Sequence, residues 1–292
     1  MAYTEPAYAK LNLTLDILGR REDGYHDMRM VMQSIDLQDL ITFTPQAEPG
    51  FTLTTNLPYL PRDGGNIAVK AANQFFQDNR LPVLGMSIDI KKNIPVCAGM
   101  AGGSSDGAAV LRLLRRLCLP ELPQGQLEET GGRVGSDVPY CVRGGTALAE
   151  GRGEALTDLP PLPPCWIAVC KPPCSISTPE LFAQVRVKRL RCHPDTAGML
   201  EALSSGDLEG IAHRLYNVFE DILPRRYAQV FEIKAALLNM GAMAASMTGS
   251  GPTVFGLFPE REPAARAVQA LSERFPATFL CRPAPACFPR QP

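Results

Sequence analysis

No run of 18 apolar residues occurs in the sequence, so no membrane-spanning helix is expected. Neither charge is in surplus: 29 Lys and Arg stand against 30 Asp and Glu, a net charge of −1. Without a basic excess, nucleic acid and anionic membranes are not expected partners. A polyanionic ligand would have to be held by a local site. Residues Met1 to Lys10 include Glu5 and lack an apolar core, so no signal peptide is expected. No internal repeat and no paired C-x-x-C spacing is present. The nine cysteines are odd in number and scattered along 292 residues. A chain of that length buries a core without staples, so reduced thiols in a cytosolic protein are expected. Cys165, Cys170 and Cys174, with Cys192 and His193 further on, lack the paired spacing of a zinc site. They read as free buried thiols, and no metal is assigned to them.

What is present is a globular composition, 45% hydrophobic and 20% charged, in a chain long enough for one large or two ordinary domains. Residues 10–17 alternate Leu11, Leu13, Leu15 and Ile17 with Lys10, Asn12, Thr14 and Asp16, the period of a half-buried strand. Lys10 and Asn12 then share a face. Residues 86–91 alternate in the same way. Residues 66–79 and 105–118 carry helical stripes, with Arg112, Arg115 and Arg116 on what reads as the solvated face of the second. Prolines 160, 161, 163, 164, 172 and 173 bracket an apolar run at 166–170, a strand near a domain boundary. Helices follow near 228–240 and 262–274, with strands at 244–247 and 253–258. Mixed strands and helices imply an α+β protein of two domains, 1–158 and 159–292.

The strongest local signal is Pro95-Val-Cys-Ala-Gly-Met-Ala-Gly-Gly-Ser-Ser105, between an expected strand and an expected helix. Gly99, Gly102 and Gly103 let backbone approach a ligand closely. Ser104 and Ser105 stand where a helix N-cap belongs, and free N–H groups at a helix start favour an anion. The segment is neither a Walker A loop nor G-x-G-x-x-G. Read alone, it fits a flexible glycine turn as well as a phosphate cradle.

Three segments in order resemble the GHMP kinases: Ala9-Lys-Leu-Asn-Leu13, the glycine loop from Pro95 to Ser105, and Met247-Thr-Gly-Ser-Gly-Pro-Thr253. Arg20 to His26, Gly135 to Tyr140 and Gly144 to Glu154 resemble the branch acting on a cytidyl-linked alcohol. The resemblance implies a ribosomal-S5-like N-terminal domain and a ferredoxin-like C-terminal domain, with the site between them. It implies ATP and Mg²⁺, and phosphorylation of the 2-hydroxyl of 4-diphosphocytidyl-2-C-methyl-D-erythritol in the non-mevalonate isoprenoid pathway. A monomer or weak homodimer is expected.

Residue by residue, the resemblance assigns Lys10 and Asp137 to catalysis, Asp137 accepting the hydroxyl proton and Lys10 keeping it ionised. By residue type alone, Asp137 is also a turn aspartate and Lys10 a solvated strand-start charge. Asn66 and the stretch Pro95, Val96, Cys97, Ala98, Gly99, Met100, Ala101, Gly102, Gly103, Ser104 and Ser105 are assigned to ATP. Asn12, Tyr25, His26, Phe182, Gly249, Ser250 and Gly251 are assigned to the substrate, Tyr25 and Phe182 stacking on cytosine and His26 reading its edge. Phe182 is equally a plain core residue. Two positions depart from the family pattern. Gly107 stands where alanine is usual and lowers helix propensity by about 1 kcal/mol; Gly131-Gly132 loosens the approach to Asp137. A relative acting on mevalonate or a sugar would not need Asp23 to His26 and Phe182. A ligand-binding protein of this fold without catalysis would not need Lys10, Asp137 and an intact glycine loop.

Overall fold

The computed structural model describes residues 2–187, 190 and 192–288. It opens with a long antiparallel hairpin of β1 (Tyr3–Arg20) and β2 (His26–Pro45). The length of β2 divides the sheet. Its residues 40–45 pair with β4 (Gly85–Lys91), and its residues 28–33 pair with β5 (Thr146–Gly151). β3 (Gly50–Thr55) adds parallel to β4, β6 (Ala155–Asp158) pairs with β5, and the short β8 (Tyr216–Asn217) adds parallel to β1.

The alternation read in residues 10–17 is real, but β1 is not half-buried. Register shifts fall at Tyr8/Ala9, where Asp36 and Leu37 of β2 go unpaired, and at Asn12/Thr14, where Leu13 does, and across them the strand's two faces exchange cores. Ala7, Leu15 and Ile17 therefore join the core under the helices of the first domain. Ala9, Leu11 and Leu13, between the bulges, join a second core containing Ile167, Val169, Phe255 and Leu257. One strand serves both cores, which is why every residue from Ala9 to Ile17 is buried.

Helices α1 (Ile67–Asp78), α2 (Gly102–Cys118), α3 (Gln124–Val134) and α4 (Val138–Arg143) form the layer of the first domain. α2 starts three residues before its expected position. Ala101 occupies the N-cap position in a left-handed conformation (φ 56°), and no side chain caps the helix, so Ser104 and Ser105 are not caps. The solvated face expected for Arg112 is also corrected. Only 6% exposed, Arg112 pairs with Glu5 Oε1 at 2.8 Å and donates to the carbonyls of Cys141 and Pro6, both at 2.6 Å. The cause is coverage of α2 by β1 on one side and α4 on the other.

The two glycine departures are close approaches rather than weaknesses. A Cβ at Gly107 would lie 2.8 Å from Ile67 Cγ2, and one at Gly131 would lie 2.9 Å from Val138 Cγ1. Gly107 lets α2 settle on α1. Gly131 lets α3 settle on the start of α4, next to Asp137, so it fixes that approach rather than loosening it.

The second sheet is antiparallel throughout, ordered β11-β7-β10-β9, from β7 (Trp166–Lys171), β9 (Ala244–Met247), β10 (Val254–Phe258) and β11 (Ala277–Cys281). With α8 (Ala228–Asn239) after β7 and α9 (Arg261–Ser272) after β10, this is a ferredoxin-like β-α-β-β-α-β unit. Between β7 and α8 lie α5 (Thr178–Gln184), α6 (Thr196–Ser205), α7 (Leu208–His213), β8 and two 3₁₀ turns, Val218–Ile222 and Arg225–Tyr227. After β11 the chain returns to the first domain, bridging Ile35 to Pro283 and Gly144 to Ala286. No helix among the described residues is long and apolar enough to cross a membrane.

Candidate active site

A cavity of about 1790 Å³ runs between the two domains. Single small-molecule sites usually measure about 300–1,000 Å³, so this one has room for two ligands. Lys10, Tyr25, His26, Asn66, Asp137 and Phe182 line it, as do Pro95 to Gly99, Ala101 to Ser104 and Gly249 to Gly251. Asn12, Met100 and Ser105 do not. Ser105 turns into the fold, its hydroxyl donating to Tyr8 O at 2.6 Å and to Cys141 Sγ at 3.3 Å. Met100 is core, and its carbonyl accepts from Lys10 N–H at 3.2 Å.

The loop from Pro95 to Ala101 gets its shape from three left-handed residues at alternate positions: Cys97 (φ 52°), Gly99 (φ 72°) and Ala101 (φ 56°). Alternation of left- and right-handed residues turns successive N–H groups toward one concave side, a setting for anions. Non-glycine residues in this region cost about 1–3 kcal/mol each and persist where surrounding structure imposes them. Here the imposing element is the third glycine segment. Gly99 and Gly249 meet backbone to backbone: a Cβ on Gly99 would lie 2.3 Å from Thr248 O, and one on Gly249 2.7 Å from Gly99 O. Asn217 supports the third segment from below, donating to Met247 O at 2.8 Å and Gly249 O at 2.9 Å. Ser250 Oγ joins Thr178 Oγ1 at 2.7 Å.

Asn12 is the joint between these parts. Its Oδ1 accepts from Lys10 Nζ at 2.6 Å and from Gly249 N–H at 2.9 Å, and its own N–H donates to Thr248 Oγ1 at 3.0 Å. Its buried Nδ2 has no partner among the described residues. Asp137 stands immediately before α4, and its side chain makes no capping bond. Lys10 and Asp137 share the cavity wall, but no ion pair joins them among the described residues. Both act on Cys141, one turn into α4. Burial pushes that thiol up to about 12, with the Asp137 carboxylate adding to the rise and the Lys10 ammonium opposing it.

Asn66 caps α1, accepting from Ala68 N–H at 2.9 Å while its amide donates to Pro61 O at 2.8 Å. At the far end of the cavity, His26 and Phe182 bring their ring centroids within 5.0 Å, tilted by 31°. Phe182 meets Phe219 edge-on, also at 5.0 Å. Tyr25 is half exposed, and the Arg152 guanidinium lies 4.7 Å from its ring centroid. Burial, with Arg20 nearby, holds the His26 imidazole below its ordinary value.

Sequence reasoning missed Phe219, Arg152 and a buried ionic cluster. Phe219 follows β8 in a stretch without periodicity, and nothing local marks it. In the cluster, Lys92 Nζ pairs with Asp39 Oδ2 and, at 2.7 Å, with Asp106 Oδ2. Lys92 and Asp106 flank the glycine loop and line the cavity. Their closeness in sequence to that loop was the available signal.

The chain resembles known proteins over most of its length. Residues 66–145 match the GHMP kinases N terminal domain, and residues 199–277 match the GHMP kinases C terminal family. The chain is 45% identical over 261 residues to a 4-diphosphocytidyl-2-C-methyl-D-erythritol kinase of Lachnoclostridium phytofermentans, covering 89% of each protein. It is 40% identical over 276 residues to the protein of that name from Clostridium kluyveri, covering 94% of this chain and 98% of the relative. A crystal structure of 4-(cytidine 5'-diphospho)-2C-methyl-D-erythritol kinase superposes with a TM-score of 0.81 at 30% identity, covering 97% of this chain and 99% of that one. Homoserine kinase from Cytophaga hutchinsonii shares the fold, with a TM-score of 0.75 at 17% identity.

Proposed function

The chain belongs to the GHMP kinases and, within them, to the family of 4-diphosphocytidyl-2-C-methyl-D-erythritol kinases, and we propose that it carries out that family's reaction at the cavity between its domains. It is a kinase that transfers the γ-phosphoryl group of ATP to the 2-hydroxyl of 4-diphosphocytidyl-2-C-methyl-D-erythritol, in the non-mevalonate isoprenoid pathway. Little covalent chemistry falls to the protein in phosphoryl transfer; position and electrostatics do most of the catalysis. The loop from Pro95 to Ser104 holds the phosphates with backbone N–H groups at the start of α2. Asp137 accepts the proton of the attacking hydroxyl. Lys10 stabilises charge on the oxygens in transfer, held in place by Asn12, which supports the site from behind the cavity wall. Asn66 stands at the adenine end.

Tyr25, His26 and Phe182 receive the cytosine. His26 and Phe182 now rest on one another, so a base enters by parting them or by stacking on Tyr25. Mg²⁺ would enter with the triphosphate and would neutralise charge developing on its oxygens. We place the enzyme in the cytosol, as a monomer or weak homodimer with a domain division near residue 158.

The observation that carries this reading is the backbone contact of Gly99 with Thr248 and Gly249, which closes a phosphate cradle beside Lys10 and Asp137. ADP release should be measured with ATP and, in turn, the cytidyl alcohol, mevalonate and a hexose. Turnover of the cytidyl alcohol alone is expected. Turnover of mevalonate in its place would overturn the substrate, and ATP binding without any transfer would overturn the catalysis.

A further inference from the structure

Two carboxylates and one ammonium are buried beneath the phosphate loop. Lys92, Asp39 and Asp106 are 7%, 0% and 4% exposed. A Cβ at Gly102 would lie 3.4 Å from Lys92 Nζ, so the ammonium sits directly under the first residue of α2. With both acids ionised, the cluster would put a net negative charge under a loop that has to hold a triphosphate. The hydrogen bonds of the two acids are unequal. Asp39 accepts from Lys92 and, through Oδ1, from the N–H groups of Asn93 at 2.6 Å and Ile94 at 2.8 Å. Among the described residues Asp106 accepts only from Lys92, through Oδ2, and its buried Oδ1 has no partner. An ionised carboxylate needs its lone pairs met when it leaves water. Asp39 meets that condition and Asp106 does not.

We propose that Asp106 is a positioning residue that holds a proton, so that the Lys92–Asp39–Asp106 cluster is neutral and the phosphate loop above it is free to bind the triphosphate of ATP. The inference rests on the reading of residues 95–104 as the nucleotide loop. Lys92 from the end of β4 and Asp39 from β2 are the charged groups facing Asp106; burial and the like charge of Asp39 raise its carboxyl well above the usual range, against the pull of Lys92. The ammonium stays charged, held against the cost of burial by the Asp39 carboxylate and by its hydrogen bonds to both acids. The neutral carboxyl keeps Lys92 under Gly102, and Asp39 fixes Asn93 and Ile94, where the loop begins.

The test combines difference infrared spectroscopy with calorimetric titration of a non-hydrolysable ATP analogue, on wild type, Asp106→Asn and Asp106→Ala. At neutral pH the wild type should show the carbonyl stretch of a protonated acid, and Asp106→Asn should lack it. Asp106→Asn, neutral and nearly isosteric, should bind the analogue within about threefold of wild type, whereas Asp106→Ala, which strips Lys92 of a partner, should bind it about tenfold more weakly. A wild type without the band overturns the proposal, as does a folded Asp106→Asn that binds tenfold more weakly. Should Asp106→Ala not fold, the band and Asp106→Asn decide. A wild type that shows the band but binds no ATP analogue overturns the nucleotide-loop reading and, with it, the role given to the neutral cluster.

Discussion

Replacing Gly99 with alanine tests the contact on which the site depends. The new Cβ would lie 2.3 Å from Thr248 O, a backbone atom that no rotamer change moves aside. That carbonyl is itself anchored, accepting from Gly251 N–H at 3.0 Å. Alanine at φ 72° adds about 1–2 kcal/mol of left-handed strain, and overpacking typically costs about 1–3 kcal/mol. The sum, about 2–5 kcal/mol, can be relieved only by moving the first and third glycine segments apart. A displacement of about 1 Å at a reacting centre is enough to cost roughly 10²-fold in rate. Gly99→Ala should therefore lower the denaturant midpoint and cut kcat/KM for ATP by about 10². Gly249→Ala strikes the same contact from the other side, 2.7 Å from Gly99 O, so the double variant should lose much less than the sum of the singles. Gly125→Ala is the control: its Cβ meets nothing within 4 Å, and helix α3 should gain up to about 1 kcal/mol. Urea unfolding and steady-state kinetics read both quantities. A Gly99→Ala enzyme with normal stability and rate would refute the apposition of the two loops.

Asp137→Asn should leave folding and ATP binding intact while lowering turnover at least about 10²-fold; near-normal turnover would remove Asp137 as the base. His26→Ala should raise KM for the cytidyl substrate far more than KM for ATP, and equal losses would undo its assignment. The depressed pKa of His26 also has a pH consequence. Its neutral form is favoured in the folded protein, so its contribution to stability is complete above the ordinary imidazole value of 6.5 and is lost as pH falls through the lower folded value. A proton NMR titration of the ring that places its midpoint above 6.5 would contradict this. Finally, Cys97 is exposed on the cavity wall, whereas burial pushes Cys141, Cys165 and Cys281 up to about 12 and Cys170 to about 11. Brief maleimide treatment should label Cys97 and spare those four, and an ATP analogue should protect Cys97; labelling unaffected by nucleotide would place the triphosphate elsewhere.

Most elements are legible because periodicity reports which side chains are covered. The stripes at 66–79 and 228–240 and the alternation at 86–91 mark α1, α8 and β4 to within a residue or two. The errors share one physical source, burial by elements remote in sequence. Arg112 looks solvated because nothing near it shows that Glu5 and the Cys141 carbonyl will meet it. β1 looks half-buried because a bulge leaves no local signature, although the one at Asn12/Thr14 sends Leu13 and Leu15 into different cores. The site behaves likewise. Its glycine segments can be read as loops, but the contact of Gly99 with Gly249 spans 150 positions. The Lys92–Asp39–Asp106 cluster joins a strand, a strand end and a helix, with no spacing that announces it.

The positions of these residues bear on how the cavity works. The glycine end, proposed to hold the phosphates, is closed by Gly99 of the first domain against Thr248 and Gly249 of the second. The aromatic end is closed by His26 against Phe182, backed by Phe219. With the domain division proposed near residue 158, each end is an interdomain contact. A rigid-body opening that draws Thr248 from Gly99 also draws Phe182 from His26. A ligand that fixes the domain angle at one end orders the other end as well, with no side chain needed to carry a signal between them. The contacts differ in kind. At the phosphate end they are backbone to backbone, which tolerates almost no variation in side chain. At the aromatic end they are faces of rings, which slide and tilt at small cost. In the proposed reaction the reacting groups accordingly sit beside the stiff end, and the base is received beside the pliable one.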